Sequence, residues 1–344
     1  MTSKSNRRAS MDKILLSHGS GGELSHELIQ KLFIEAFRNP MLEALDDSAV
    51  LDIAGGRWAF TTDSYVVTPI FFPGGDIGKL AVCGTVNDLA MSGAKPFFLS
   101  AGFIIEEGFP LASLKKIVAS MERAATAAEV KIVTGDTKVV NRGGADQIFI
   151  NTAGIGFIPP GVHLSGNYAR PGDRVLVSGS LGDHGIAILS SREGLQFSTS
   201  LESDCASLEG LVAEILNFSG AIHCLRDPTR GGLSSTLNEL ARQSNVGIWL
   251  EESRVPVKEE VQGACELLGL DPFILANEGK LVAIVAGEVA EGVVQRMQGH
   301  PLGKDAAVIG DVRAEPGGKV ILQTRIGTTR IMDMMVGELL PRIC

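Results

Sequence analysis

Aspartates stand beside apolar stretches at four places in the first half of the chain. They are Asp46 with Asp47, Asp63, Asp88 and Asp136. Gathering carboxylates in a partly buried place is costly unless a cation offsets their charge. Mg²⁺ prefers oxygen ligands and commonly bridges one or two carboxylates to substrate phosphates. Each aspartate taken alone is better explained as a helix cap or a turn residue. Together they predict a site for a magnesium-bound nucleotide.

A glycine-rich loop, "HGSGG" at residues 18–22, precedes the first helical pattern. Successive backbone N–H groups of such a loop can bind phosphate, although a simple N-terminal turn would have the same composition. The phosphate-loop motif G-x-x-x-x-G-K-[ST] is absent. The stretch "GIGFIPPG" at 154–161 places proline where a dinucleotide fingerprint needs glycine. A nucleotide would therefore be bound in another way.

The last residue of the chain is a cysteine, Cys344. A terminal thiol is exposed and oxidisable unless something covers it, so its placement calls for a reason. The chain has five cysteines, at positions 83, 205, 224, 265 and 344. None forms a C-x-x-C pair, which argues against zinc and thioredoxin-like sites, and we expect a reducing, cytoplasmic compartment. Cys83 and Cys265 lie in apolar contexts typical of buried structural thiols. Cys224, next to His223, is less clear.

Composition limits the classes of partner. The chain has 344 residues, a net charge of −9 and 5% aromatic residues. Nucleic-acid binding is not expected, since it favours a basic face and aromatic stacking platforms. No apolar run reaches about 18 residues, so we expect no membrane span. The first ten residues are basic and serine-rich without the apolar core of a secretory signal.

Helical and strand patterns alternate through both halves of the chain, which predicts an α/β or α+β fold in two domains. A Pro-Pro-Gly stretch at 159–161 marks the expected boundary. We predict a disordered extension over 1–11, in which Met11 could be a second start. An N-terminal domain over 12–158, a C-terminal domain over 159–336 and a mobile tail over 337–344 follow it.

Three stretches of the first half carry clear patterns. Residues 23–37 predict a helix with Leu24, Leu28 and Leu32 on one face. Residues 111–129 predict an amphipathic helix. The apolar stretch after it, "VKIVTGDTKVV", predicts a buried strand.

Several motifs, taken in order, resemble one superfamily of ATP-using enzymes. That superfamily includes aminoimidazole ribonucleotide synthetase, selenophosphate synthetase and thiamine-monophosphate kinase. The motifs are "DDSAV" at 46–50, "TTDSYVV" at 61–67, "VNDLAMSGA" at 86–94, "VTGDTKVV" at 133–140, "DPTRGGL" at 227–233 and "NEGK" at 277–280. The resemblance runs from about residue 12 to the end. It implies an N-terminal mixed sheet that forms a homodimer and a C-terminal α/β sandwich.

The stretches "LSHGSGG" near the start and "PRIC" at the end resemble one branch, the hydrogenase-maturation carbamoyl dehydratases. In that branch a partner carbamoyltransferase loads a carbamoyl group onto the C-terminal cysteine. ATP then drives dehydration to a thiocyanate. The cyanide passes to the iron of a [NiFe]-hydrogenase precursor on an iron-carrying maturation scaffold complex.

The resemblance also implies roles for individual residues. Asp46, Asp63, Asp88 and Asp136 would surround Mg²⁺ and the phosphates. Cys344 would be the carrier. Further nucleotide contacts would come from His18, Gly19, Gly21, Gly22, Asp47, Asn87, Asp88, Asp136 and Thr137.

Two further residues would lie near the reacting group, Lys138 and Glu278. Dehydration needs a base for the N–H protons, and Glu278 is one candidate, with Lys138 orienting it. Lys138 could instead neutralise phosphate, and Glu278, between Asn277 and Gly279, could be a structural acid.

The terminal position of Cys344 suits a swinging carrier. The seven residues after Gly337 could extend about 25 Å, at about 3.5 Å per residue. Two rival functions remain. Another kinase or synthetase of the superfamily would not need Cys344, and a non-catalytic ATP-binding scaffold would use "RIC" as a peptide ligand.

Overall fold

The computed structural model describes residues 14–19, 21–192, 201–334 and 342–344. The predicted N-terminal extension therefore lies outside the described residues. The first helical region consists of α1 (Glu23–Leu28), a π-helical stretch (Ile29–Ile34), α2 (Glu35–Phe37) and α3 (Pro40–Glu43). The helix predicted over 23–37 is confirmed, but Leu32 is 53% exposed, so its apolar face is not fully covered.

The first half of the chain forms a five-stranded mixed sheet with the strand order β1-β2-β7-β5-β6. Only β5 and β6 run parallel. A short hairpin of β3 and β4 precedes the first long helix. The elements are β1 (Ala49–Ile53), β2 (Gly56–Tyr65), β3 (Phe71–Phe72), β4 (Gly75–Asp76), α4 (Ile77–Met91), β5 (Lys95–Glu106), α5 (Leu111–Ala127), β6 (Lys131–Val140) and β7 (Ile148–Ile158).

Helices α4 and α5 cover one face of this sheet. Leu80 and Val86 of α4 and Ile117 of α5 join Leu99 and Ile150 of the strands in one buried cluster. Asp76 caps α4, because its carboxylate accepts hydrogen bonds from two backbone N–H groups of the first turn. The amphipathic helix predicted over 111–129 is confirmed within two residues.

No helix or strand of the described residues covers the opposite face of the sheet. Phe60, Phe98 and Ile104 are each more than 40% exposed there. Strand β6 forms the sheet edge and is exposed from Lys131 to Val139. The prediction of a buried strand at this place is wrong for the single chain. An apolar strand pattern predicts that burial of the strand is favourable. It does not predict whether the same chain or another chain buries it.

The second half forms a seven-stranded sheet with the order β14-β13-β10-β12-β8-β11-β9. Only β10 and β13 run parallel. The elements are β8 (Arg174–Val177), α6 (Asp183–Ser190), α7 (Glu209–Ile215), β9 (Ile222–Arg226), α8 (Gly232–Ser244), β10 (Gly247–Glu251), α9 (Glu259–Leu268), β11 (Val282–Val285), α10 (Ala290–Gln298), β12 (Ala307–Arg313), β13 (Lys319–Gln323) and β14 (Thr329–Ile331).

Helices cover both faces of this second sheet. Leu237 of α8 packs with Val282 on one face. Leu211 of α7 and Val293 of α10 pack with Ala283 on the other face. The successive residues Val282 and Ala283 therefore belong to different cores, as expected for a strand buried on both sides. The predicted C-terminal α/β sandwich and N-terminal mixed sheet are confirmed.

The two halves pack directly on one another. Leu89 of α4 lies in the same buried cluster as Leu211 of the second half. Ile188 and Ala276 of the second half extend the core beneath the first sheet. The candidate site lies along this contact. None of the helices in the described ranges has the length and apolar character needed to cross a bilayer.

Candidate functional site

Four aspartates that influence one another's ionisation lie where the two halves meet. They are Asp47 before β1, Asp63 on β2, Asp88 on α4 and Asp227 after β9. Burial raises the pKa of Asp47 to about 8 and that of Asp227 to about 6. Burial, followed by the charge of Asp227, raises the pKa of Asp88 well above its usual range. The ionised forms of these carboxyls are therefore disfavoured unless a cation lies close to them.

Arg226 is a buried cation beside this cluster. Its guanidinium donates a 2.8 Å hydrogen bond to Glu239 and lies 3.4 Å from Asp47 and 3.8 Å from Asp46. One positive charge is thus shared among three acids, with Asp227 also close enough to affect it. This imbalance suits a site that receives a further cation.

Asp46 is directed toward the second half of the chain rather than toward the cluster. Its carboxylate accepts hydrogen bonds from the Ser165 hydroxyl at 2.6 Å and from the Gly166 N–H at 2.8 Å. These contacts join the two halves. The metal role predicted for Asp46 stays a prediction, and the structure assigns it a clear packing role.

Asp136, Thr137 and Lys138 lie apart from the cluster on the exposed strand β6. The Lys138 ammonium donates to Asp136 at 2.7 Å and lowers the pKa of that carboxyl. Strand β6 is three strands from β2, on the order of 14 Å from Asp63. Within the described ranges no three acids, histidines or thiols are arranged to hold a metal ion.

The glycine loop rests on the turn that carries Arg230. Gly21 has a positive φ of 74°, and a Cβ there would lie 2.9 Å from the Arg230 carbonyl oxygen. Its N–H donates to the Ser25 hydroxyl at 3.0 Å. His18 accepts a hydrogen bond from the Leu15 N–H, which closes a single helical turn around Gly19. The loop is thus placed beside the site by close backbone packing.

Glu278 is a buried acid with an unused oxygen. Its side chain is 3% exposed, and its Oε1 has no hydrogen-bond partner. Burial, together with the charges of Asp227, Asp204 and Asp63, raises its pKa well above the usual range. The nearby Arg230 opposes this shift. Such a group can hold or release a proton at a place closed to water.

The backbone around Glu278 is held firmly. The Glu278 N–H donates to the Asp204 carboxylate at 3.0 Å. The Asn87 amide donates to the Ala206 carbonyl at 3.1 Å and accepts from the Leu208 N–H at 2.8 Å. Both ends of the Asn87 amide are therefore bonded to protein. Its predicted nucleotide contact stays untested, and in this structure it supports the Glu278 loop.

The end of the chain is docked in the site. The Val66 N–H donates to the Cys344 carbonyl at 3.1 Å, and the Thr68 N–H donates to the Arg342 carbonyl at 3.2 Å. Arg342 returns a 2.7 Å hydrogen bond to the Val66 carbonyl. Cys344 is only 9% exposed. Residues 337–341 of the predicted tail lie outside the described residues.

Cys344 lies within electrostatic reach of the residues described above. Burial raises the pKa of its thiol to about 12. The Arg230 guanidinium opposes this shift, and Glu278, Asp63 and Asp227 add to it. The docked thiol is therefore protonated at neutral pH and weakly nucleophilic.

The four other cysteines are buried free thiols. Cys83 of α4 and Cys205 are hydrogen-bonded to each other, and burial raises the pKa of Cys224 to about 12. Their structural interpretation fits this burial. Sequence reasoning missed Asp227 and Arg230 as site residues, although both lie in the "DPTRGGL" motif. A carboxylate and a guanidinium just before a Gly-Gly turn were the available signal.

Family comparison agrees with this architecture. The AIR synthase related protein models match both halves of the chain. The N-terminal domain model matches residues 45–158, and the C-terminal domain model matches residues 170–323. These ranges contain the first sheet and all of the second sheet except the edge strand β14, so the fold is that of the AIR synthase related proteins.

Comparison with individual relatives identifies the family within the AIR synthase related proteins. "Carbamoyl dehydratase HypE" of Azotobacter vinelandii is 56% identical over 327 residues, which cover 95% of this chain and 96% of that protein. A chain of a HypE-HypF complex has a TM-score of 0.86 at 52% identity, covering 90% of this chain and 99% of that one. HypE in complex with ATP has a TM-score of 0.81 at 52% identity, covering 96% and 100%. The chain therefore belongs to the HypE carbamoyl dehydratase family. The predicted enzyme class, a carbamoyl dehydratase of hydrogenase maturation, is confirmed.

Proposed function

We propose that this enzyme dehydrates an S-carbamoyl group carried on its own Cys344 to a thiocyanate, with ATP as the driving co-substrate. The thiocyanate then supplies cyanide for the iron of a [NiFe]-hydrogenase. The observation that carries the proposal is the docked tail. It places the Cys344 thiol beside Glu278 and Arg230, between the two halves of the chain. A thiol with only a packing role would not need four charged neighbours.

The donor chemistry of the site fits a magnesium nucleotide. Asp47, Asp63, Asp88 and Asp227 offer oxygen ligands, and burial, with the charges of neighbouring acids, raises the pKa values of Asp47, Asp88 and Asp227. When bound, Mg-ATP would offset that charge and supply the phosphoryl group that makes the carbamoyl oxygen a good leaving group. Because no three acids, histidines or thiols of the described residues form a ready metal site, the phosphates would provide further oxygens. A structure of a HypE with ATP supports nucleotide binding in this family.

Glu278 is the proposed base. Conversion of S–C(=O)NH₂ to S–C≡N removes both N–H protons and the carbonyl oxygen. The unpartnered Oε1 of Glu278 is available to accept a proton, and its raised pKa makes the ionised form a stronger base. A bound cation near Asp63 and Asp227 would lower that pKa and favour the ionised form.

Arg230 is the proposed electrostatic partner of the reacting group. It is exposed at the site edge, and the charges of Cys344, Asp63 and Glu278 raise its pKa, so it remains charged. A guanidinium there would stabilise negative charge on the carbamoyl oxygen as it is activated. Lys138, on the exposed strand β6, would act only where another surface covers that strand.

The docked pose separates loading from dehydration. A thiol with a pKa of about 12 cannot be loaded efficiently in place. We therefore propose that the tail leaves the site to meet a carbamoyltransferase and returns afterwards. A HypE-HypF complex supports a partner of this kind.

The proposal also includes the acceptor of the cyanide, the homodimer and the cellular compartment. An iron-carrying scaffold complex would accept the cyanide, and two copies would pair through the first sheet. The five free thiols fit a cytoplasmic, reducing compartment.

The test is intact-mass analysis of the protein with ATP, carbamoyl phosphate and the cognate transferase. We expect a carbamoyl adduct on the C-terminal peptide, followed by a cyano adduct once ATP is present. Cys344→Ala should carry neither and should still bind ATP. Cys265→Ala, which removes a buried thiol of α9, is the matched control and should behave like the wild type.

Two results would contradict the proposal. A wild-type C-terminal peptide that never carries either adduct would exclude the carrier role. A Cys344→Ser variant that supports maturation normally would favour the scaffold function instead.

A further inference from the structure

A buried histidine, His184, has no role in the chemistry above. It lies in the first turn of α6 and is fully buried. Neutral imidazole carries one donor and one acceptor nitrogen, so burying it without partners would be costly. Both of its nitrogens are in fact bonded, and one of the partners is the tail.

The hydrogen bonds define which nitrogen carries the proton. His184 Nε2 lies 2.8 Å from the Ile343 carbonyl oxygen, and Nδ1 lies 2.8 Å from the Ser203 hydroxyl. A carbonyl can only accept, so Nε2 donates and Nδ1 accepts. The Cys205 N–H donates to the Ser203 oxygen at 3.1 Å, which leaves the Ser203 proton free for Nδ1. Burial lowers the His184 pKa, in agreement with a neutral ring.

The ring and its serine partner are held by the first half of the chain. The Phe72 and His184 rings meet edge to face with centroids 5.6 Å apart. The Ser203 N–H donates to the Pro73 carbonyl at 2.9 Å. The Nε2 donor is thus fixed in position by residues of both halves, and little entropy would be lost when the tail docks.

The protein recognises the backbone of the tail. All three described tail carbonyls accept hydrogen bonds, Arg342 from Thr68 and Arg192, Ile343 from His184, and Cys344 from Val66. His184 acts on the residue that directly precedes the reactive cysteine. None of these hydrogen bonds involves the thiol, so none of them requires the sulfur to be free of a carbamoyl group.

We propose that His184 is a positioning residue that holds the C-terminal tail in the site, with Ser203 fixing its donor tautomer. The purpose of this pose, dehydration of the carbamoyl group, rests on the proposed function. The docking itself does not depend on it. His184 would therefore control how long Cys344 stays beside Glu278, without contacting the reacting atoms.

The first test measures exposure of the tail without ATP or partner. Iodoacetamide labelling of the enzyme, followed by cleavage after Glu338, reports alkylation of Cys344 in the peptide "LLPRIC". His184→Phe keeps a ring but removes the N–H donor, so the Ile343 carbonyl loses the hydrogen bond that it accepts from His184. We expect alkylation about tenfold faster than in the wild type. His184→Gln restores an N–H donor and should recover most of the protection, and Ser203→Ala should give an intermediate rate.

The second test separates positioning from folding. His223→Phe is the matched control, because it removes a partly buried histidine that contacts Asp173 at 2.7 Å away from the tail. It should leave Cys344 alkylation unchanged. With carbamoylated protein and ATP, His184→Phe should dehydrate about tenfold more slowly, while loading by the transferase should not slow.

Wild-type alkylation in both His184→Phe and Ser203→Ala would overturn the positioning role. Equally faster Cys344 alkylation in His223→Phe would also overturn the positioning role, because the effect would then come from a general destabilisation of the fold. If His184→Phe does not fold, the rates of Cys344 alkylation in Ser203→Ala and His184→Gln test the positioning role instead. If the wild type never forms thiocyanate, the proposed function fails, and the alkylation result still decides the positioning role.

Discussion

The two sheets of this enzyme differ in how their apolar residues are covered. Strand β11 of the second sheet packs against helices of its own chain on both faces. In the part of the chain that the structure describes, the first sheet has helices on one face and leaves Phe60, Phe98 and Ile104 exposed on the other. The core of the second half is thus complete within one chain, and the first half has an apolar face ready for a partner.

The candidate site residues also differ in burial, as the two sheets do. Asp47, Asp88 and Glu278 lie between the two halves, where burial raises their pKa values. Asp136 and Lys138 lie on the open strand β6, where their ion pair lowers the pKa of Asp136. A second copy covering β6 would bring these exposed residues into a closed environment. The site role predicted for Asp136 and Lys138 stays a prediction, and it depends on whether another surface covers β6.

The largest expected effect concerns Glu278. Glu278→Gln should leave carbamoylation of Cys344 intact and slow thiocyanate formation at least a hundredfold, because the proposed base is lost. Mass analysis of the C-terminal peptide separates the two steps. Glu288→Gln, outside the site, is the control. Thiocyanate formation at the native rate in Glu278→Gln would show that Glu278 is not the base. Lys138 on the open strand β6 would then become the candidate base.

The next effect tests the metal residues of both regions. Asp63→Asn and Asp136→Asn should each weaken ATP hydrolysis at limiting Mg²⁺ at least tenfold, if both regions contribute ligands. Steady-state hydrolysis across a magnesium titration measures this. A loss in Asp63→Asn alone would confine the site to the interior. Unchanged activity in both variants would contradict the magnesium site.

The open face should support a homodimer. Phe98→Asp places a charge in its apolar centre and should weaken self-association about tenfold or more. Leu267→Asp changes an exposed leucine of α9, elsewhere on the surface, and serves as the control. Sedimentation velocity over a concentration series gives the answer. A wild-type protein that stays monomeric at micromolar concentration would refute the dimer.

The smallest effect is a pH dependence of stability without nucleotide. The folded pKa of Asp47, about 8, lies above the unfolded value of 3.8, so the folded state retains a proton that the unfolded state releases. The free energy of unfolding should therefore fall as pH rises through this interval. We expect an unfolding midpoint a few degrees lower at pH 8 than at pH 6. Asp47→Asn should reduce this difference, and Asp136→Asn should not. A midpoint that rises over the same range would contradict the raised pKa.

Much of the site could be predicted because its residues lie in short local patterns. Asp63, Asp88, Glu278 and Cys344 stand beside recognisable strands, turns or the chain end, and the structure brings all four together. The partners of Asp46 could not be foreseen. Its contacts with Ser165 and Gly166 are about 120 residues distant along the chain, and no local pattern encodes them.

Local periodicity and residue chemistry were enough to predict the alternation of helices and strands, the acids at their ends and the interest of Cys344. The covered face of each sheet, the place of Asp227 and Arg230 in the site, and the contact of His184 with the tail became visible from the folded chain. Burial and hydrogen-bond partners depend on which distant segments pack together, and a period of two defines the faces of a strand without saying what covers them.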